Sequence, residues 1–338
     1  MLLFAVMACS RECPPGSTRW DDGLCHLIQD TGPDGDSGDT TPDTDSGDGS
    51  DDSGDTAPES LCPEETSTEE YDRYPVYIAD TDRRFVTIQD AIWGAEEGDV
   101  VTVCPGTYYE NIDFKGKVIT VTSEQGPWVT TIDGQEQDSV VTLKNYEPAG
   151  SILQGFTLTN GSAVKTRHGG GIYIEWGSPT IRYNVVINNT ASIAGGVYVR
   201  NGGATVHNNI IIGNTASEGG GGMVCTACTG PFRYNTLFEN RSGNGPVAEW
   251  FWGIGDLEGN IMVSEAEYTG AAIRWMEPRG DDFETGYNLY WPHATVVDGS
   301  DADAWPEGDG VLWEEARFSD PDSLDFTLAA DSPAIDAG

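Results

Sequence analysis

The stretch Gly170-Gly171-Ile172-Tyr173-Ile174, followed by Ile181, Asn184, Ile187 and Asn189, decides the fold because the chain says it again. A second pass reads Gly195-Gly196-Val197-Tyr198-Val199, then Val206, Asn209, Ile212 and Asn214. A third reads Gly221-Gly222-Met223-Val224-Cys225, then Phe232, Asn235, Phe238 and Asn240. Ile172 to Val197 is 25 residues and Val197 to Met223 is 26. Short apolar triplets at a fixed period, without helical spacing, predict a solenoid of strands with one coil per repeat.

Two asparagine series mark the turns. Asn160, Asn189, Asn214 and Asn240 form one, and Asn184, Asn209, Asn235 and Asn260 the other. Coils stacked about 4.8 Å apart would join equivalent turn amides into ladders, and Asn tolerates the left-handed backbone of a corner. The Gly-Gly pairs mark a further corner. Upstream, Val118–Thr122, Thr130–Ile132, Val140–Leu143 and Ile152–Leu158 read as strands. Before them, Thr87-Ile88-Gln89-Asp90 has capping-box spacing, and Ile88, Ala91, Ile92 and Ala95 share one helical face, with Gly98 as the stop. This short helix would cover the open apolar end of the stack.

The helix followed by Pro105-Gly106-Thr107-Tyr108, the Gly-Gly-Gly-Ile-Tyr and Asn-Asn-Thr-Ala coils, and the closing Asp331-Ser332-Pro333-Ala334-Ile335-Asp336 carry a family likeness. Together they resemble the right-handed parallel β-helix proteins of the pectin lyase-like superfamily. The fold so implied is all-β: a single-stranded right-handed parallel β-helix with an N-terminal capping helix. The resemblance implies no single activity, because that superfamily holds lyases, hydrolases, esterases, epimerases and members without catalysis.

The start of the chain, Leu2 to Cys9, is apolar and ends in Ala8-Cys9, which resembles a bacterial lipoprotein signal with Cys9 lipidated. No Lys or Arg occurs between Asp21 and Asp72, and residues 29–60 are almost wholly Asp, Gly, Ser, Thr and Pro. Such a stretch buries too little apolar surface to order itself, so it reads as a disordered tether. The expected organisation is residues 1–9 as signal, 10–28 as a short Cys-containing segment, 29–70 as linker and 71–338 as β-helix domain. That predicts an exported monomer, lipid-anchored at the outer membrane or cell surface, touching membrane through the lipid alone. A net charge of -39 over 338 residues argues against nucleic acid and anionic membrane as partners. Beyond Cys9 the six cysteines fit three disulfides, which allow 15 pairings; the one proposed is Cys13–Cys25, Cys62–Cys104 and Cys225–Cys228, with a redox or zinc pair as the alternative for Cys225-Thr226-Ala227-Cys228.

Candidate chemistry lies at three places. If Ile172 and Ile174 face inward, Tyr173 and Glu175 face out, with Tyr198 and Arg200 beside them one coil on. Stacked tyrosines and a forked guanidinium would suit carbohydrate, whereas the plainer reading is a cross-coil ladder. A second outward column runs Arg182, His207, Arg233, Glu258. It could grip an anionic glycan or be a solvated face balanced by acids, with His207 held neutral between two arginines. The third is the loop Lys165-Thr166-Arg167-His168, with His168 as a candidate base or an ordinary surface residue. Paired aspartates are not legible in the repeats; Asp281-Asp282, Asp113, Asp133 and Asp138 stand apart in sequence. The sequence thus favours a carbohydrate-binding or adhesive protein without catalysis, its partner a polysaccharide or cell-surface glycan. The alternative is a polysaccharide lyase or glycoside hydrolase acting on a uronate polymer. No cofactor is expected, with calcium entering only under the lyase alternative.

Overall fold

The computed structural model describes residues 17–19, 25–27, 62, 75–163, 165–243, 248–251, 256–264, 271–276, 284–292, 295–298 and 308–335. The proposed lipidation at Cys9, the Cys13–Cys25 pair, the tether and Asp281-Asp282 lie outside the described residues. Within a separate small unit, Cys13–Leu61, Ser17–Arg19 pairs antiparallel with Cys25–Leu27.

The rest is a right-handed parallel β-helix whose coils contribute one strand to each of three sheets. The front sheet contains Val141–Leu143, Ile172–Glu175, Val197–Arg200 and Met223–Thr226. The floor sheet contains Thr120–Ser123, Ile152–Gln154, Thr180–Arg182, Thr205–His207 and Phe232–Arg233. The back sheet contains Thr157–Thr159, Val185–Ile187, Ile210–Ile212 and Thr236–Phe238. The sequence period is the structural register: Ile172 lies beside Val197 and Val197 beside Met223. Ile172, Ile174, Ile181 and Val186 of one coil stack on Val197, Val199, Val206 and Ile211 of the next, all fully buried. Each coil therefore removes its own apolar column from water, which is the main stabilising term.

Both asparagine ladders form. Asn184 donates from its backbone N and its Nδ2 to Asn209 Oδ1, at 3.1 and 3.2 Å. Asn209 does the same to Asn235, Asn235 to Asn260, and Asn260 to Asn288. The second ladder runs Asn189, Asn214, Asn240. Its first rung differs from expectation. Thr159 pairs with Ile187, so Asn160 is level with Asn188, and it is Gly161 N that donates to Asn189 Oδ1. The left-handed residue also differs: it is the one before each ladder amide, as at Tyr183, Asn188, Asn208 and Tyr234, while the amide itself closes the corner. The Gly-Gly pairs serve close approach. A Cβ on Gly170 would strike the carbonyl oxygens of Thr190 and Gly195, and one on Gly196 that of Gly222.

Two boundaries shift. The span Ile152–Leu158 is two strands separated by left-handed Gly155, one in the floor and one in the back sheet. The helix is Ile88–Gly94, ending before Gly98. Thr87 accepts from Asp90 N as capping-box spacing predicts, but Asp90 does not return the bond. Glu110 instead satisfies the next two donors, accepting from Ile88 N and Gln89 N on its two oxygens at 2.9 Å each. At the other end Lys117 Nζ donates to the carbonyls of Ile92, Trp93 and Ala95, satisfying oxygens the helix leaves open.

The back sheet is apolar on both sides. Val186, Ile211 and Leu237 face the core, whereas Val185, Ile187, Ile210, Ile212 and Phe238 face outward. A C-terminal ribbon, Phe318–Asp320 with Asp325–Leu328, lays Phe318, Leu324 and Phe326 over them. Phe238, Phe318 and Phe326 meet edge to face, their centroids 5.1–5.9 Å apart. The outer side of these back-sheet strands is thereby covered by the chain itself.

Candidate functional site

On the front sheet Tyr173 and Tyr198 point away from the core, as the alternation requires, and stack at 5.8 Å with 3° between their planes. They do not form an open platform. Tyr173 is 7% and Tyr198 5% exposed, because Ile193, Ala194 and Val224 close round them and His168 lies on Tyr198 at 4.7 Å. Of the two readings, the cross-coil ladder is the arrangement present, and His168 from the neighbouring loop lies on Tyr198 rather than leaving an open sugar platform. Lys165 pairs with Asp138 at 3.0 Å and Arg167 with Glu218, so the loop is pinned at both ends.

The structure thus joins two candidates that are remote in sequence. His168, Tyr198, Tyr173, Glu175 and Arg200 form one cluster. Tyr173 Oη donates to Glu175 Oε2 at 2.8 Å, and Arg200 Nη1 lies 3.4 Å from Glu175 Oε1. Burial pushes the Tyr173 phenol well above its usual value, and the Glu175 carboxylate adds to the effect. His168 Nδ1 lies 2.6 Å from the Thr166 carbonyl oxygen, which can only accept. Nδ1 therefore carries the proton and Nε2 the lone pair. Burial lowers the His168 pKa; the Thr166 bond opposes that, and Arg200 and Arg167 reinforce it. The imidazole is accordingly neutral at neutral pH, a form able to accept a proton.

The basic column is a different surface. Arg182, His207, Arg233 and Glu258 are neighbours in register along the floor sheet, as their spacing predicts. Arg233 is committed to Asp256 at 2.7 Å and Glu258 at 3.2 Å. Arg182 donates from Nε to Gln154 at 2.7 Å and lies 5.6 Å from the Tyr183 ring centroid. The His207 pKa is lowered as expected, but chiefly by burial, with Arg182 a lesser contributor. The hydrogen bond to Asn208 opposes the shift.

Elsewhere the cysteine pairs Cys62–Cys104 and Cys225–Cys228 are disulfides, as proposed. Asp113 is held by Lys115 and Asn145, Asp133 by Asn160 and Gln135, and Asp138 by Lys165. Among the described residues one group of three ligand-type side chains lies within reach of a single ion: Cys62, Cys104 and Glu124. Two of its atoms are spent in a disulfide, and one carboxylate oxygen does not fit calcium, which takes six to eight oxygens.

The sequence reading missed Tyr146 and Trp176. Tyr146 is 71% and Trp176 50% exposed, and their rings stack at 6.4 Å with 28° between planes. They occupy the corner leaving the front sheet, with Trp176 next to Glu175. Their signal was faint, because the later coils carry Asn201 and Ala227 at that corner and no repeated ring draws attention to it.

No family model and no curated protein matches this chain. Solved structures do. Pectin methylesterase PemA from Erwinia chrysanthemi is 12% identical over 65% of this chain and 78% of its own, with a TM-score of 0.40. A pectin methylesterase in complex with hexasaccharide VII is 12% identical over 64% and 77%, at 0.39. Pectin methylesterase from carrot is 13% identical over 74% and 89%, at 0.31. Likeness at this level carries no argument about activity; the β-helix rests on the register above.

Proposed function

We propose that this protein is an exported, lipid-anchored β-helix that binds carbohydrate at its front sheet without turning it over. The observation that carries the reading is the Glu175–Arg200 pair, with Arg200 half-exposed and Glu175 partly so, joined through Tyr173 to stacked rings. A carboxylate and a guanidinium side by side offer acceptors and donors to vicinal hydroxyls, and the rings beneath fix their positions. The Ala8-Cys9 start, the acidic stretch at 29–60 and the two disulfides support export and tethering.

A second reading, a uronate-directed lyase, is favoured by one observation: His168 is neutral, its tautomer is fixed with the lone pair on Nε2, and Arg200 is close enough to act on its charge. Arg200 would face the sugar carboxylate and His168 would take the adjacent proton. Affinity electrophoresis against a polysaccharide panel, paired with absorbance of unsaturated product from polygalacturonate, separates the two. Retardation without product, weakened by Arg200→Ala, is expected. Product that disappears in His168→Gln would replace the binding reading with the enzymatic one.

A further inference from the structure

We propose that the exposed faces of Tyr146 and Trp176 form a stacking subsite for a neutral pyranose ring of a polysaccharide. This rests on the carbohydrate-binding reading above and extends that site round the corner from Glu175 to Trp176. Three observations point to it.

The first is geometry. Two large aromatic side chains stand in solvent, their ring centroids 6.4 Å apart with 28° between planes, and together they leave a shelf-like expanse of apolar ring surface uncovered by the chain. The axial C–H face of a pyranose is flat and apolar while its rim carries hydroxyls. Such a ring covers an aromatic shelf and leaves its hydroxyls for polar neighbours, here Glu175 and Arg200.

The second is conformation. Tyr146 and Trp176 both have φ of +63°, in the left-handed region that bulky residues avoid. After the next two front-sheet strands the corresponding place is taken by Asn201 and Ala227, also left-handed. The corner therefore needs no ring to form. Tyr183, another left-handed aromatic, earns its place by packing against Arg182 and His207. Tyr146 and Trp176 have chiefly each other, so two disfavoured backbones hold exposed apolar surface, a combination expected of function.

The third is charge. Two of the cations near the shelf are neutralised within the chain, Arg200 by Glu175 and Lys115 by Asp113, in a protein of net charge -39. A polyanion would meet a repulsive field, whereas a neutral glycan would not. Lys144, exposed two residues before Tyr146, is the reason for including an acidic polymer as comparator.

The test uses the full chain in affinity electrophoresis and calorimetry with a β-glucan, a galactomannan and polygalacturonate. We expect a neutral polymer to be bound, Tyr146→Ala and Trp176→Ala each to weaken it at least tenfold, and Trp176→Phe to retain most of it. Trp176→Gly, which suits the left-handed backbone, should lose binding while melting no lower than the unaltered protein. If the neutral polymer binds and both alanine variants bind it equally, the subsite is wrong and the carbohydrate reading survives. Binding of polygalacturonate alone overturns the neutral class. No retention on any polymer overturns both readings. A Trp176→Gly protein that melts well below the unaltered one would make Trp176 a packing residue and sink the proposal.

Discussion

Two aromatic pairs sit within a few residues of one another, and the chain treats them oppositely. Tyr173 and Tyr198 recur at the coil period, stack flat and are buried under the loop that carries His168. Tyr146 and Trp176 sit at a corner position that the next coils fill with Asn201 and Ala227, stack less regularly and stand in solvent. A side chain repeated in every coil acquires a neighbour above and below, so stacking and cover come almost automatically. A corner ring that no loop folds over has one stacking partner and no cover, and something other than coil stability accounts for it. In a solenoid, periodicity marks what holds the molecule together, and departures from it are the places to look for ligands.

That contrast can be broken or sharpened by measurement. The largest effect belongs to the most periodic residue. Asn209→Ala strips the bonds to Asn184, Asn235 and the Ile181 carbonyl from a buried corner. At 1–3 kcal/mol for each stranded polar group the cost should be about 4 kcal/mol, read as a fall in the urea midpoint with unchanged slope. Next comes a paired experiment. Tyr198→Ala should cost about 3 kcal/mol, as expected for removing a buried ring, whereas Trp176→Ala should stay within about 0.5 kcal/mol. Equal losses from the two would erase the distinction between scaffold ring and exposed ring.

The smallest effect is a pH dependence. The His168 pKa is depressed in the folded protein, so the unfolded chain protonates first, near its ordinary value of about 6.5. The stability due to neutral His168 is complete above that pH and is lost as pH falls from there towards the folded value. Thermal melting of His168→Gln against the unaltered protein should show a deficit at pH 8 that narrows below pH 6.5. A deficit constant across that range would mean the imidazole is not buried on Tyr198.

How much of this was legible depended on whether a residue repeats. Ile172, Val197 and Met223, the ladder amides and the Arg182–His207–Arg233 register could be read because each is reinforced by its counterparts one coil away. Asn160 was misplaced by one residue because the turn before the first Gly-Gly pair is longer, and Gly161 takes the ladder position there. The outward-facing Ile187, Ile212 and Phe238 look like core in the sequence. Alternation says which side they face, but not that a distant ribbon will cover them. Tyr173 and Tyr198 were assigned the correct side and the wrong exposure for the same reason: their cover comes from the His168 loop. Glu110 and Lys117 cap the helix from over twenty residues away, beyond any local motif.

The ribbon at Phe318–Leu328 has a consequence for how the protein is made. The coils it covers leave the ribosome well before it does, and until it arrives they present a stripe of Val185, Ile210, Ile212 and Phe238 to the surroundings. A nascent chain in that interval carries an oily seam on an otherwise acidic rod, a natural point for a chaperone to hold and for chains to stick to one another.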